Sequence, residues 1–382
     1  MHFSEVKYQP EQSKTYLGSP SILRLPDGAL VASHDYFGTI RNAENENALT
    51  SIYRSEDNGA TWSNVTHIIG AFWGTLFFHA GALYHISISQ EYGSIVIRRS
   101  RDGGFTWSNP RDGKSGLLFR AAPMRENPNY HFGGATPVLI HGGRIWKGFD
   151  RFQNAPGAPE WRPDMFHAGV ISCPDDADLL DAGAWRMSGD MGFETEKVKT
   201  PGLSQTGDGW LEGSIVAAPD GELCSILRLH IGGRLDKAAI LHLGADGRSL
   251  RFDYEKDIID FIGGHAKFTV RHDPVTGFYF TITNAVTAEF PYARNHLVLA
   301  KSKDLRHWET VKSLLRDDTG LEPARSAELT GFQYCDWQFD GDDIFFLCRT
   351  AYRGAHNYHD SNRITYHTIP EFRTLPEKRA EA

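Results

Sequence analysis

The first chemistry the sequence offers is a carboxylate and a guanidinium returned to one edge by a hairpin. Residues 211–230 (LEGSIVAAPDGELCSILRLH) read as an apolar extended run, a Pro219-Asp220-Gly221 turn and a second apolar run. Glu212 stands at the entrance of the first strand and Arg228 at the exit of the second. A two-strand hairpin brings those ends to the same rim of a sheet. Taken alone, such a pair is a structural salt bridge; beside further groups of the right type it becomes part of a binding or reacting centre. The polar run His356-Asn357-Tyr358-His359-Asp360 has imidazoles three residues apart. That spacing is not a specific metal signature, and no metal or cofactor is expected.

The composition of the chain favours many short strands. The chain has 382 residues, 40% of them hydrophobic and 12% aromatic, with 38 Gly and 18 Pro punctuating it at short intervals. A net charge of −8 with no polybasic run argues against a nucleic-acid partner. No apolar run reaches the roughly 18 residues a membrane helix needs, so no membrane partner is expected. Cys173, Cys224, Cys335 and Cys348 are widely spaced and read as buried, reduced thiols. The N-terminus lacks a basic segment followed by an apolar one, which makes the cytoplasm the simplest location; a chain with its leader removed would read the same way.

Hairpins of the opening shape recur at 18–35, 73–89, 134–151, 211–230, 263–284 and 332–352, each with a polar turn (PDG, HAG, HGG, PDG, DPVTG, DGDD). A further strand pattern follows each, at 49–62, 94–107, 166–173, 238–252, 296–308 and 363–369. Radial repetition of such four-stranded sheets predicts an all-β, six-bladed β-propeller of antiparallel blades, one domain spanning 1–382. The sixth unit lacks a clear outer strand, and residues 3–8 are predicted to supply it and close the ring. The best short helical stretch is 175–185 (DDADLLDAGAW).

Residues 55–62 (SEDNGATW) and 100–107 (SRDGGFTW) share the pattern S-x-D-x-G-x-T-W, and 302–308 (SKDLRHW) is a copy one residue shorter. In such a loop Asp folds back onto backbone N–H groups, Gly takes a positive φ and Trp anchors the turn from beneath. This pattern resembles the Asp-box, or BNR repeat, of the sialidase (neuraminidase) superfamily. In that family the box lies away from the active site, so the resemblance implies structural roles for Asp57 and Asp102.

The same resemblance implies an exo-acting glycoside hydrolase working on a terminal acidic sugar, sialic acid or a relative. The family's nucleophile is a Tyr polarised by a Glu, its acid/base is an Asp, and Arg residues hold the substrate carboxylate. A phenol approaches an anomeric centre bearing a carboxylate with less repulsion than a carboxylate nucleophile would. Carried over, these roles fall on Tyr334 as nucleophile, Glu212 as its base, Asp35 as acid/base, and Arg228 and Arg294 as the clamp. Glu44 and Glu46 rival Asp35. The family's first Arg is absent: Gly18 stands there, and Arg349 or Lys267 is expected to compensate. His131, His265 and Asp150 are candidates for sugar hydroxyls, and Trp73 and Trp161 for sugar rings.

Two other functions fit the same pattern. A polysaccharide lyase or non-sialic glycosidase acting at a uronic acid would use the Arg and Lys residues to neutralise the uronate and Tyr334 or a His to move a proton. A non-catalytic carbohydrate-binding propeller would keep the fold alone. In all three the partner is a glycan; the oligomeric state is not legible.

Overall fold

The computed structural model of the chain describes residues 3–38, 48–123, 126–133, 136–153 and 162–375. It is an all-β, six-bladed β-propeller of mostly four-stranded antiparallel sheets. Blade 1 runs from an interrupted inner strand (Thr15–Leu17 and Ser21–Arg24) through Leu30–Gly38 and Leu49–Ser55 to Ser63–Ile69. Blade 2 is Phe72–His79, Ala82–Ile88, Ile95–Ser100 and Leu117–Phe119, and blade 3 is Leu139–His141, Arg144–Phe152 and Phe166–Pro174 with a split outer edge. Blade 4 is Gly209–Ala217, Leu223–His230, Lys237–Leu243 and a split edge; blade 5 is Thr269–His272, Tyr279–Asn284, His296–Ser302 and Glu309–Arg316. Blade 6 is Gly331–Asp340, Asp343–Ala351 and Arg363–Ile369, and its outer strand is Ser4–Tyr8, paired antiparallel with Arg363–Ile369. The last blade is thus built from both ends of the described chain.

A row of small polar side chains on the inner strands ties neighbouring blades together. Ser21 donates to Asp336 (2.8 Å) and accepts from the Leu76 N–H (3.0 Å), joining blades 6, 1 and 2. Thr75 donates to the Thr136 carbonyl (2.9 Å), Ser214 accepts from the Val270 N–H (3.1 Å), and Thr269 donates to the Cys335 carbonyl (3.3 Å). These positions line up across the hairpins, so the row fixes which residue of each inner strand comes next, two positions nearer the mouth. Between the sheets, side chains such as Trp210, Phe268 and Trp337 are fully enclosed. Each contributes about 1.5–3 kcal/mol through the area it removes from water.

The Asp-boxes fold as their residues dictate. Asp57 accepts from the Thr61 N–H (2.9 Å) and hydroxyl (2.6 Å), bonds that hold its carboxyl down at about 2, and Trp62 donates to the Gly59 carbonyl. The short copy reaches the same shape by substitution: His307 donates its N–H and Nδ1–H to Asp304 where Thr does so elsewhere, and Leu305 takes the left-handed conformation (φ 66°). The stretch 175–185 is not an α-helix. Asp178 and Asp181 bond their own backbone two residues on, leaving turns and a short 3-10 segment at Ala182–Ala184. The α-helix of the described residues is Pro323–Leu329, started by Pro at its first position.

Candidate active site

Three inner strands, in blades 2, 4 and 6, each carry one extra residue at the same point. Register shifts fall between Phe72 and Thr75, Leu211 and Ser214, and Gln333 and Asp336. Inside each bulge a non-glycine residue adopts left-handed backbone: Trp73 (φ 48°), Glu212 (φ 62°) and Tyr334 (φ 54°). Each costs about 1–2 kcal/mol relative to extended backbone, and the surrounding fold must hold it there. All three side chains line one cavity of about 380 Å³. The equivalent strand exits, opposite the start of each bulge, carry Ile88, Arg228 and Arg349.

Tyr334 and Glu212 meet in this cavity. The Tyr334 hydroxyl donates to Glu212 Oε1 (3.3 Å), and Arg228 Nη1 donates to Glu212 Oε2 (3.0 Å) and to the Tyr334 oxygen (3.5 Å). Burial opposes the charge on Arg228, but Glu212 and Tyr334 outweigh it and hold the guanidinium above its ordinary range. Its Nε donates to His230, which burial keeps neutral at about 2. His265 is likewise enclosed and held down to about 3 by burial and by Arg294 and Arg228; it does not line the cavity.

Two further guanidiniums flank the phenol ring. Arg294 lies 6.0 Å and Arg349 4.9 Å from its centroid. Arg294 donates to the Gln333 amide oxygen, and its buried Nε has no hydrogen-bond partner among the described residues. Arg349 donates to Ser361 (3.0 Å) and to the His359 carbonyl (2.6 Å), and packs on Phe37 at 4.5 Å. Neither forms a salt bridge to a carboxylate among the described residues, and burial lowers the pKa of both, Arg349 to about 10. At neutral pH both remain cations. Three guanidiniums thus converge on Tyr334, in a lining that also holds the carboxylates Glu212, Asp35 and Glu91, and neither Arg294 nor Arg349 is tied to a carboxylate by a salt bridge among the described residues.

Asp35 lines the same cavity, only 1% exposed, and accepts the Trp73 N–H at 2.7 Å. A Cβ at Gly18 would lie 1.9 Å from Asp35 Oδ1, so the residue replacing an expected Arg is also the one that makes room for this carboxylate. Asp150 repeats the arrangement one pair of blades on, accepting the Glu212 N–H at 3.0 Å. His131, also in the lining, donates from Nδ1 to the same Asp150 oxygen at 3.0 Å and meets Trp73 edge-to-face at 4.3 Å. Lys267 is placed differently from the expectation. It sits in the row of Glu212 and Tyr334 but is 2% exposed, donates to the Cys335 carbonyl at 3.3 Å and does not line the cavity. Burial pushes its pKa down. Of the two expected substitutes for the missing Arg, Arg349 is the one that lines the cavity and flanks the phenol. Glu44, Glu46 and Trp161 lie outside the described residues.

His356 and His359 both bond Asp360, at 2.9 and 3.0 Å, and that loop presents the carbonyl which holds Arg349. Phe37, Phe72 and Tyr92 complete an apolar wall beside Trp73. Sequence reading did not place them there. The alignable signal was the bulge itself, Trp73-Gly74-Thr75 against Glu212-Gly213-Ser214 and Tyr334-Cys335-Asp336.

Solved structures of carbohydrate-active enzymes superpose on this chain over nearly its whole length. A Penicillium chrysogenum alpha-L-arabinanase complexed with arabinobiose matches with a TM-score of 0.59 at 13% identity, covering 98% of this chain and 99% of that one. The Hadza microbial sialidase Hz136 matches with a TM-score of 0.63 at 12% identity, over 97% and 69%. Sialidases and arabinanases share this fold. A Trypanosoma rangeli sialidase, solved as a covalent intermediate with 2,3-difluorosialic acid, matches at 12% identity with a TM-score of 0.59; the chain covers 54% of its length. No protein-family model and no curated protein matches the sequence.

Proposed function

We propose that this propeller is an exo-acting glycoside hydrolase of the sialidase type, acting on a terminal acidic sugar. The observation that carries the reading is the Tyr334–Glu212 contact at 3.3 Å, set in strained bulges and ringed by Arg228, Arg294 and Arg349. In this reading Glu212 takes the phenolic proton as Tyr334 attacks the anomeric carbon, and Arg228 steadies the charge that develops on the pair. Arg294 and Arg349 receive the substrate carboxylate, Arg349 in place of the Arg that Gly18 replaces. A charge-assisted bond of this kind is worth about 1.5–3 kcal/mol. The wall formed by Asp35, Trp73 and His131 faces the sugar's other side, and proton delivery to the departing oxygen belongs to that wall. The glycosidase character of the arabinanase and sialidases of this fold supports the reaction class.

The test is a panel of sialylated, uronic-acid-terminated and neutral oligosaccharides, read by mass spectrometry for wild type and Tyr334→Phe. Release of one terminal acidic sugar by wild type and its loss in the variant is expected; full turnover by Tyr334→Phe would sink the assignment. The missing Arg at Gly18 favours a second reading, elimination at a uronic acid. An unsaturated product absorbing at roughly 235 nm, the mark of proton abstraction next to the carboxylate, would select it.

A further inference from the structure

Three blades carry the same brace. At the exit of the second strand in blades 1, 3 and 5 stand Asp35, Asp150 and Asn284, and each bonds the backbone of the following blade beside its bulge. Asp35 takes the Trp73 N–H, Asp150 the Glu212 N–H, and Asn284 donates to the Phe332 carbonyl at 2.7 Å, two residues before Tyr334. The residue facing the brace across the hairpin differs. It is Gly18 in blade 1, whose N–H bonds the Asp35 carbonyl, and Gly263 in blade 5, whose absent Cβ would collide with the Asn284 carbonyl at 1.6 Å. In blade 3 it is His131, which exchanges both backbone bonds with Asp150 at 2.8 Å. One blade in three has therefore put an imidazole where its sisters have no side chain, and has given its brace a second partner.

The geometry points to His131 as the group that exchanges a proton with the glycosidic oxygen, with Asp150 as its positioning residue. This assignment rests on the glycosidase reading of the same cavity. Asp150 is 1% exposed and accepts from His131 Nδ1, which fixes the tautomer and leaves the Nε2 side of a cavity-lining ring with no hydrogen-bond partner among the described residues. Trp73 at 4.3 Å and Phe166 at 5.0 Å hold the ring edge-on from two sides. The bond from the Glu212 N–H to the same Asp150 oxygen puts the proton donor and the base of the nucleophile on one support. Asp35 has the brace's duty toward Trp73 and lies pressed against Gly18.

The proton balance closes over two steps. In the first, Tyr334 oxygen bonds to the anomeric carbon as Glu212 takes the phenolic proton, the glycosidic C–O bond breaks, and imidazolium His131 gives its Nε2 proton to the leaving oxygen. In the second, neutral His131 takes a proton from water as that water's oxygen bonds to the anomeric carbon. The bond to Tyr334 breaks, and Glu212 returns the phenolic proton.

Leaving-group dependence tests the assignment, using methyl, phenyl and 4-nitrophenyl glycosides of N-acetylneuraminic and glucuronic acids. An acid catalyst matters for the poor leaving groups and little for nitrophenolate. His131→Gln is expected to lose about 100-fold or more on the methyl and phenyl glycosides and only a few-fold on the 4-nitrophenyl one, with Asp35→Asn showing no such split. A loss equal across all three, or a split found in Asp35→Asn instead, overturns it. Tyr334→Phe run alongside separates the two ideas: its undiminished activity would remove the nucleophile assignment, while the His131 split would stand or fall by itself. Nitrogen-15 spectra of the histidines in the intact protein supply a readout that needs no turnover. They should show His131 protonated on Nδ1 in wild type, and an Nε2-protonated neutral ring would refute the positioning by Asp150.

Discussion

Arg228→Ala removes the cation from a closely enclosed ion pair of the site. Arg228 is 5% and Glu212 4% exposed, with the ions 3.0 Å apart. Truncation also deletes the donors to Tyr334 and His230, leaving the Glu212 side chain with the Tyr334 hydroxyl at 3.3 Å. An uncompensated buried charge costs about 3–5 kcal/mol, a large part of the roughly 5–15 kcal/mol that a folded protein has. The exposed pair Lys199–Glu255 supplies the contrast: at 2.8 Å it is as close, but 78% and 60% exposed, and Lys199→Ala should cost less than about 1 kcal/mol. The assay is equilibrium unfolding in urea, comparing midpoints at equal slope. Arg228→Met combined with Glu212→Gln should be less destabilised than Arg228→Met alone, because the lone charge is gone. The reasoning fails if Arg228→Ala costs no more than Lys199→Ala, or if the double variant is the worse of the two.

Other perturbations follow from the same geometry. Lys147 is fully buried, its ammonium bonded to Thr136 and 4.6 Å from the Phe132 centroid, and burial lowers its pKa from 10.5 to about 7. Between those values the unfolded chain binds more protons than the folded one, so this residue's cost to stability is full below pH 7 and fades as pH rises toward 10.5. Lys147→Met should therefore stabilise by at most about 5 kcal/mol at pH 6, and by much less at pH 9.5; a gain independent of pH in urea titrations would contradict this. Gly18→Ala forces Asp35 off its bond to the Trp73 N–H, given the 1.9 Å approach, and should cost about 1.5–3 kcal/mol and disturb the cavity wall. An unfolding midpoint equal to wild type would show that the brace carries no such load.

The fold was legible because its punctuation is local. The Pro-Asp-Gly, Gly-Gly and Asp-Gly turns and the Asp-box loops are made by residues acting on their near neighbours, and even the short box at 302–308 declared itself through Ser302, Asp304 and Trp308. The gathering of Glu212, Arg228, Arg294 and Tyr334 at one mouth was readable from the hairpin ends for Glu212 and Arg228 and from the family resemblance for Arg294 and Tyr334. The bulges were not readable. Trp73, Glu212 and Tyr334 are residue types that ordinarily avoid positive φ, and the N–H groups of the first two are bonded by carboxylates from another blade. Asp35 and Asp150 showed themselves as acids, but the N–H each accepts lies in a different blade. Lys267, expected near the same mouth, lies outside the lining for a related reason: its depth depends on the Cys335 carbonyl of the next blade.

The central claim is that Tyr334, polarised by Glu212, forms a bond to the anomeric carbon of an acidic sugar. Intact-protein mass spectrometry after incubation with 2,3-difluorosialic acid and with 2-fluoro glycosyl fluorides of uronic acids tests it most directly, followed by peptide mapping. A single adduct on Tyr334, absent from Tyr334→Phe and slower to form in Glu212→Gln, is the predicted result. An adduct on a carboxylate side chain, or labelling that persists in Tyr334→Phe, would contradict it.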